Sequence, residues 1–303
     1  MKRVLITGSN GLLGQSLLRL LLQEKNQFEV IGLSLGKNRS GRDDFEYRSI
    51  DVTSESLLKE NVLEIHPDVI INTAAMTQVD ACEEHQQECD ALNIGVVQSL
   101  ISVAAQINAH VIHLSTDFIF DGKKGTYKET DAPNPISYYG RSKLKSEEIL
   151  IDSKIEYTIL RTILVYGKVQ GMSRNNIVLW VKEQLENKQE ITLVEDQFRT
   201  PTYVENLALA CKISMEKKAL GIYHVASDSL LSIYEIGQQI AEVFELDTSL
   251  IKPISTSTLN QLAARPIRTG FDLTKTAKEL DLHPTSFQQD LQRFKEKLAN
   301  TYI

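Results

Sequence analysis

The run Gly8-Ser9-Asn10-Gly11-Leu12-Leu13-Gly14 directly follows Arg3-Val4-Leu5-Ile6-Thr7, a short apolar run, and opens a leucine-rich stretch. That order reads as strand, glycine turn, helix. Glycines let the backbone turn tightly, approach a pyrophosphate closely and pack the helix on the strand, while the helix's free N–H groups and dipole face the phosphates. The turn therefore points to an α/β chain with a dinucleotide held at Gly8, Asn10, Gly11, Leu12, Leu13 and Gly14.

A second motif carries the chemistry. In Tyr139-Gly140-Arg141-Ser142-Lys143 the phenol and the ammonium lie four residues apart, on one face of a helix. A nearby cation stabilises a phenolate and lowers the phenol's pKa, so Tyr139 becomes a candidate proton donor to a carbonyl oxygen, with Lys143 tuning it. Upstream, His110-Val111-Ile112-His113-Leu114-Ser115-Thr116 reads as a strand ending in hydroxyls, at the edge where a parallel sheet places its ligand crevice. Thr116 is then the candidate that hydrogen-bonds the reacting oxygen. His113, inside the apolar run, reads as a satisfied core histidine.

Apolar runs at Val4–Thr7, Phe28–Leu33, Tyr47–Ile50, Val69–Thr73, Val111–Ser115 and Tyr157–Arg161 alternate with helical patterns, clearest at Leu12–Leu22 and Glu83–Ile107. This predicts a Rossmann-type doubly wound parallel sheet over residues 1–165. Residues 166–303 predict a smaller substrate-binding lobe, with some elements returning to the sheet. There Ser232-Ile233-Tyr234-Glu235 is a capping-box signature, and Trp180 falls in an apolar helical stretch that reads as core.

The net charge of −7 offers no basic stripe, so neither nucleic acid nor an anionic membrane is an expected partner. Cys82, Cys89 and Cys211 lack metal or redox spacing and read as reduced, buried thiols of a cytoplasmic protein. No run of eighteen consecutive apolar residues occurs. A carboxylate selecting NADH is expected about twenty residues beyond the glycine turn. This chain has Ser34-Leu35-Gly36-Lys37-Asn38-Arg39 there: Ser34 leaves room, and Lys37 and Arg39 suit a 2′-phosphate. NADPH is the expected cofactor, with NADH the alternative.

Taken together, the glycine run and the Tyr139–Lys143 pair resemble the extended short-chain dehydrogenase/reductase superfamily. Asn72-Thr73-Ala74-Ala75 is similar to its cofactor-lining segment, Asp51-Val52 to the pair beside its adenine, and Pro133-x-Pro135 to the approach to its active-site helix. Within it, three segments resemble the dTDP-4-dehydrorhamnose reductase family: Ala75 to Asp80, Ser115 to Gly122, and Glu195 to Thr202. Arg265-Pro266 and Asp272-Leu273 do so too. Two departures stand out: Leu164 occupies a position that is commonly tryptophan, and Arg199 one that is commonly glycine.

The resemblance implies reduction of a nucleotide-linked 4-keto-6-deoxyhexose, most simply dTDP-4-dehydrorhamnose to dTDP-rhamnose, with hydride from NADPH. It implies Thr116, Tyr139 and Lys143 as catalytic residues. Asp51, Val52, Thr73, Ala74, Ala75 and Thr77 would line the cofactor together with Tyr139 and Lys143. Thr77, Val79, Asp80, Thr116, Asp117, Arg199 and Arg265 would meet the substrate, and no metal is implied. A monomer and a homodimer both remain open. So do two other functions: a nucleotide-sugar epimerase or dehydratase that recycles its cofactor, and a non-enzymatic NADP-binding subunit like the regulatory subunit of methionine adenosyltransferase.

Overall fold

Burial with a period of two on both faces builds the central sheet. In β1 (Lys2–Thr7), Val4 and Ile6 enter one core while Leu5 enters the other. The same alternation recurs in β2 (Phe28–Ser34), β4 (Val69–Asn72), β5 (His110–Thr116) and β6 (Tyr157–Thr162). β3 (Glu46–Ser49) and β7 (Gly221–Val225) close the edges. The structure, a computed structural model, describes residues 1–172 and 175–300. All seven strands are parallel, in the order β7-β6-β5-β4-β1-β2-β3. The order reverses at β1, where Thr7 lies level with Leu33 of β2 and Asn72 of β4. A ligand crevice opens at such a switch point.

Helices cover both faces. On one side lie α1 (Leu12–Leu21) and α6 (Val204–Lys217); on the other, α2 (Glu55–Ile65), α3 (Val96–Ile107) and α4 (Tyr138–Asp152). The expected single helix from Glu83 to Ile107 is broken. Its chain runs through short helical turns at Val79–Glu84 and Gln86–Asp90, parted by His85 at φ −119° and ψ 57°. A π-helical turn, Ala91–Gly95, then leads into α3. Helical periodicity does not register the break, because every piece keeps its apolar face inward. The run Gln86–Ile107 is long and apolar enough to cross a membrane by length and composition, yet α3 packs on β5, α2 and α4 as a core crossover helix.

The smaller lobe carries α5 (Ile177–Glu186), α7 (Ile233–Phe244) and α8 (Phe287–Asn300) around a core that includes Val181, Leu193, Ile236 and Phe294. The capping box at α7 is formed in both directions between Ser232 and Glu235. Trp180, expected in the core, stands exposed on α5. The chain crosses between the two parts both ways. Beyond residue 165, β7 and α6 return to the large sheet, while Gly125–Tyr127 leaves it to pair with Arg268–Phe271 in a four-stranded sheet of the lobe.

Candidate active site

At the switch point the glycine turn is sterically committed. Gly8 has φ +69°, and a Cβ on it would lie 2.8 Å from Thr73 Oγ1 and 2.9 Å from the Ala74 nitrogen. A Cβ on Gly14 would lie 2.4 Å from the Gly8 carbonyl oxygen, so glycine is what lets α1 sit against the turn. Thr73 closes the turn from β4, its hydroxyl donating to the Thr7 carbonyl at 2.7 Å. α1 opens at Gly11 with no side chain capping it and no acid in its first turn, beginning with Leu12 and Leu13. Its first N–H groups are therefore free for an anion, and the site fits a pyrophosphate.

Asn10 then fixes the loop after β2, donating to the Lys37 carbonyl at 3.0 Å and accepting from the Arg39 N–H at 2.8 Å. Both basic side chains are exposed beside Ser34, at the end of β2. Farther along, the exposed Asp51 carboxylate accepts from the N–H and hydroxyl of Thr53, while Val52 is buried. Ala74 and Ala75 are half-buried and Thr77 is exposed beyond β4.

α4 starts where Ser137 accepts the Gly140 N–H at 3.2 Å. Glu83 accepts the Tyr138 N–H at 2.7 Å and so holds the start of α4. Gly140 brings the helix against the turn after β5, since a Cβ there would lie 2.2 Å from the Phe118 carbonyl oxygen. Tyr139 and Lys143 are thus both buried, and the Tyr139 phenol lies beside Thr116, whose hydroxyl donates to Asp117 Oδ1 at 3.1 Å.

The electrostatics differ from the expectation that Lys143 lowers the phenol's pKa. Burial pushes Tyr139 well above the usual phenol range; the neighbouring Thr116 hydroxyl opposes this, and Asp117 adds to it. Burial also pulls Lys143 down to about 8, against the Glu147 carboxylate, which favours the charged form. The lysine's amino group lies 3.1 Å from His113 Nε2.

Several residues expected at the substrate are engaged with one another. Arg199 is 4% exposed; it donates to the carbonyls of Phe198 and Pro266, each at 2.7 Å, and its Nε lies 3.6 Å from Asp117. Asp117, also buried, takes a further hydrogen bond from Thr269. An arginine and an aspartate on adjacent surfaces bury together more cheaply than either alone, so this pair joins the lobe to the end of β5 instead of facing a diphosphate. Asp80 and Arg265 form a second pair at 2.7 Å, and the Ala263 N–H also donates to Asp80. Val79 is half-buried beside it.

Sequence reasoning did not foresee Asn93, nor what the structure adds at His113 and Leu164. Asn93, in the π-helical turn, binds Met76 on both its N–H and its carbonyl and reaches Ser142 Oγ at 3.0 Å. His113 touches Lys143, and Leu164 adopts φ +44°, a conformation that β-carbon sterics disfavour. An asparagine in an otherwise apolar helical stretch was the one available signal. Among the described residues, no group of three or more metal-binding side chains occurs.

The dTDP-4-dehydrorhamnose reductase of Aggregatibacter actinomycetemcomitans is 32% identical over 97% of this chain and 99% of its own. The methionine adenosyltransferase 2 subunit beta of Bos taurus is 30% identical over 84% of this chain and 76% of its own. A crystal structure of dTDP-4-dehydrorhamnose reductase from Bacillus anthracis, in complex with NADP, superposes with a TM-score of 0.86 at 27% identity, covering 98% of this chain and 99% of that one. The family model for the RmlD substrate binding domain matches residues 1–300. With the glycine turn, the parallel sheet and the Thr116–Tyr139–Lys143 cluster in place, the chain belongs to the RmlD substrate-binding domain family of extended short-chain dehydrogenases/reductases.

Proposed function

We propose that the chain is an NADPH-dependent reductase of nucleotide-linked 4-ketosugars, with dTDP-4-dehydrorhamnose its substrate and dTDP-rhamnose its product. The observation that carries this reading is the buried cluster at the end of β5, where the Tyr139 phenol lies beside Thr116 with Lys143 one helical turn on. The glycine turn and α1 would hold the pyrophosphate, and Lys37 and Arg39 the 2′-phosphate. When bound, the nicotinamide supplies the hydride.

The chain's own part is proton delivery and charge stabilisation. Burial keeps the Tyr139 phenol protonated, so it can give its proton to the ketone oxygen as negative charge develops there. Thr116 would donate a second hydrogen bond to that oxygen. One donor that strengthens only as charge forms is commonly worth roughly 3 kcal/mol. Lys143 would hold the cofactor's ribose and offset the negative charge left on the phenol. Arg265 is the other basic candidate for the substrate; binding of a diphosphate there would compete with Asp80.

The test offers NADPH with dTDP-, UDP- and GDP-linked 4-ketosugars and follows cofactor oxidation together with product mass. Stoichiometric oxidation with a product two hydrogens heavier supports the reading, and unchanged cofactor with an isomerised sugar would assign an epimerase instead. The similarity to the bovine subunit supports a second reading, a regulatory subunit. Saturable NADPH binding without turnover of any ketosugar, together with co-purification of a methionine adenosyltransferase, would favour that one.

A further inference from the structure

His113 sits fully buried in β5, and each of its ring nitrogens meets a polar side chain. Nε2 lies 3.1 Å from Lys143 Nζ and 3.0 Å from Ser146 Oγ; Nδ1 lies 3.2 Å from Asn72 Nδ2, and Asn72 Oδ1 lies 2.6 Å from Thr7 Oγ1. Burial and the neighbouring lysine hold the imidazole neutral, well below its ordinary pKa. A charged lysine has only hydrogens to offer, so Nε2 must accept from it. The ring's single proton then sits on Nδ1 and goes to the Asn72 carbonyl. This requires the Asn72 amide oxygen and nitrogen to be exchanged, so that the oxygen faces His113 and the NH2 faces Thr7; the choice between these two orientations is set by the hydrogen-bond network. Ser146 takes no part in this contact, because its hydroxyl donates to the Lys143 carbonyl at 2.7 Å.

We propose that His113 is a positioning residue for Lys143: it holds the lysine's amino group by accepting its hydrogen bond, and ties it through Asn72 to Thr7, where the glycine turn begins. Its bearing on turnover rests on the functional reading above. The chain of contacts runs straight across the sheet, since His113 and Asn72 are register partners of β5 and β4, and Asn72 and Thr7 of β4 and β1. The lysine that serves the reaction is thereby braced against the strand end that receives the cofactor. Among the described residues, the other titratable groups around Lys143 are Tyr139 one turn earlier and Glu147 one turn later on the same helix, the latter with its partner Arg161 from β6, and Cys89 from the short turn before α3.

A hydrogen bond accepted from the ammonium favours the charged lysine, so its removal lowers the lysine's pKa. Two side chains separate the ring's two contacts: glutamine presents a polar atom near the Nε2 position, and asparagine only near Nδ1. Lysine labelled with carbon-13 at Cε, titrated by NMR in the cofactor-free protein, reports Lys143 directly, its signal assigned by its loss in Lys143→Arg. The expected midpoint is about 8 in the parent chain. His113→Gln should leave it unchanged, while His113→Asn should lower it by about one pH unit, a tenfold loss of preference for the charged form.

If His113→Asn fails to fold, His113→Met, which has no comparable acceptor, carries the same expectation. An unchanged or raised midpoint in the acceptor-free variant, or equal shifts in the Gln and Asn variants, would overturn the proposal. The titration needs neither cofactor nor substrate, so it decides the contact independently. Ketosugar reduction that survives Tyr139→Phe would overturn the functional reading alone.

Discussion

Arg161 and Glu147 make the most deeply buried ion pair at the site's rear, with side chains 3% and 0% exposed. The guanidinium grips the carboxylate through contacts of 2.7, 3.0 and 3.2 Å. Among the described residues no other hydrogen bond reaches the Glu147 carboxylate. Arg161→Met therefore leaves a desolvated negative charge without a hydrogen-bond partner, which costs roughly 3–5 kcal/mol. In a chain of this size each kcal/mol moves the unfolding midpoint by about 2–4 °C, so the expected fall is on the order of 10 °C. Adding Glu147→Gln removes the stranded charge. The double variant should recover more than half of the loss, because an uncharged amide is far cheaper to bury. Thermal unfolding of the parent, both single variants and the double variant completes the cycle. A double variant no more stable than Arg161→Met would refute the buried-charge argument and place the loss in packing, including the stacking of Arg161 over Phe120.

Tyr139→Phe should lower ketosugar reduction by about 10²–10⁴-fold, the usual range for losing a positioned proton donor, while NADPH affinity by fluorescence titration stays within a factor of two or so. Lys37→Ala/Arg39→Ala should weaken NADPH binding by about tenfold or more and leave NADH binding nearly unchanged, because only the 2′-phosphate loses partners; equal losses for both would contradict the assignment. Stability should also fall in mild acid. His110 is buried and neutral, with its pKa lowered from 6.5 to about 4, so below pH 6.5 the unfolded chain takes up a proton that the folded one refuses. That costs about 2 kcal/mol at pH 5, and urea unfolding should show His110→Gln losing correspondingly less between pH 7 and pH 5.

The large sheet was legible because its strands are buried on both faces and carry their own signal: Val4, Leu5 and Ile6 leave no register in which an apolar side chain meets water. The glycine turn and the Tyr139–Lys143 spacing were legible because each motif is local. What escaped depends on pairings between distant segments. Arg199 reads as a free cation until Asp117 and the carbonyl of Pro266 are folded against it. Burial of His113 was readable from its apolar strand, but its contact with Lys143 was not, since it needs α4 laid across β5. The break at His85 and the π-helical turn kept their apolar periodicity, so only the inward amide of Asn93 marks them. Trp180 shows the opposite failure, an apolar residue that stands exposed on α5.

The central claim is that Thr116, Tyr139 and Lys143 serve hydride transfer from NADPH to a nucleotide-linked ketone. Its most direct test is single-turnover transfer of deuterium from NADPH labelled at the transferable position of nicotinamide C4, with dTDP-4-dehydrorhamnose as acceptor and product mass as the readout. The account predicts deuterium at the sugar's C4 in the parent chain and its near-complete loss in Tyr139→Phe. A parent chain that binds NADPH saturably yet passes no deuterium to the sugar would contradict it.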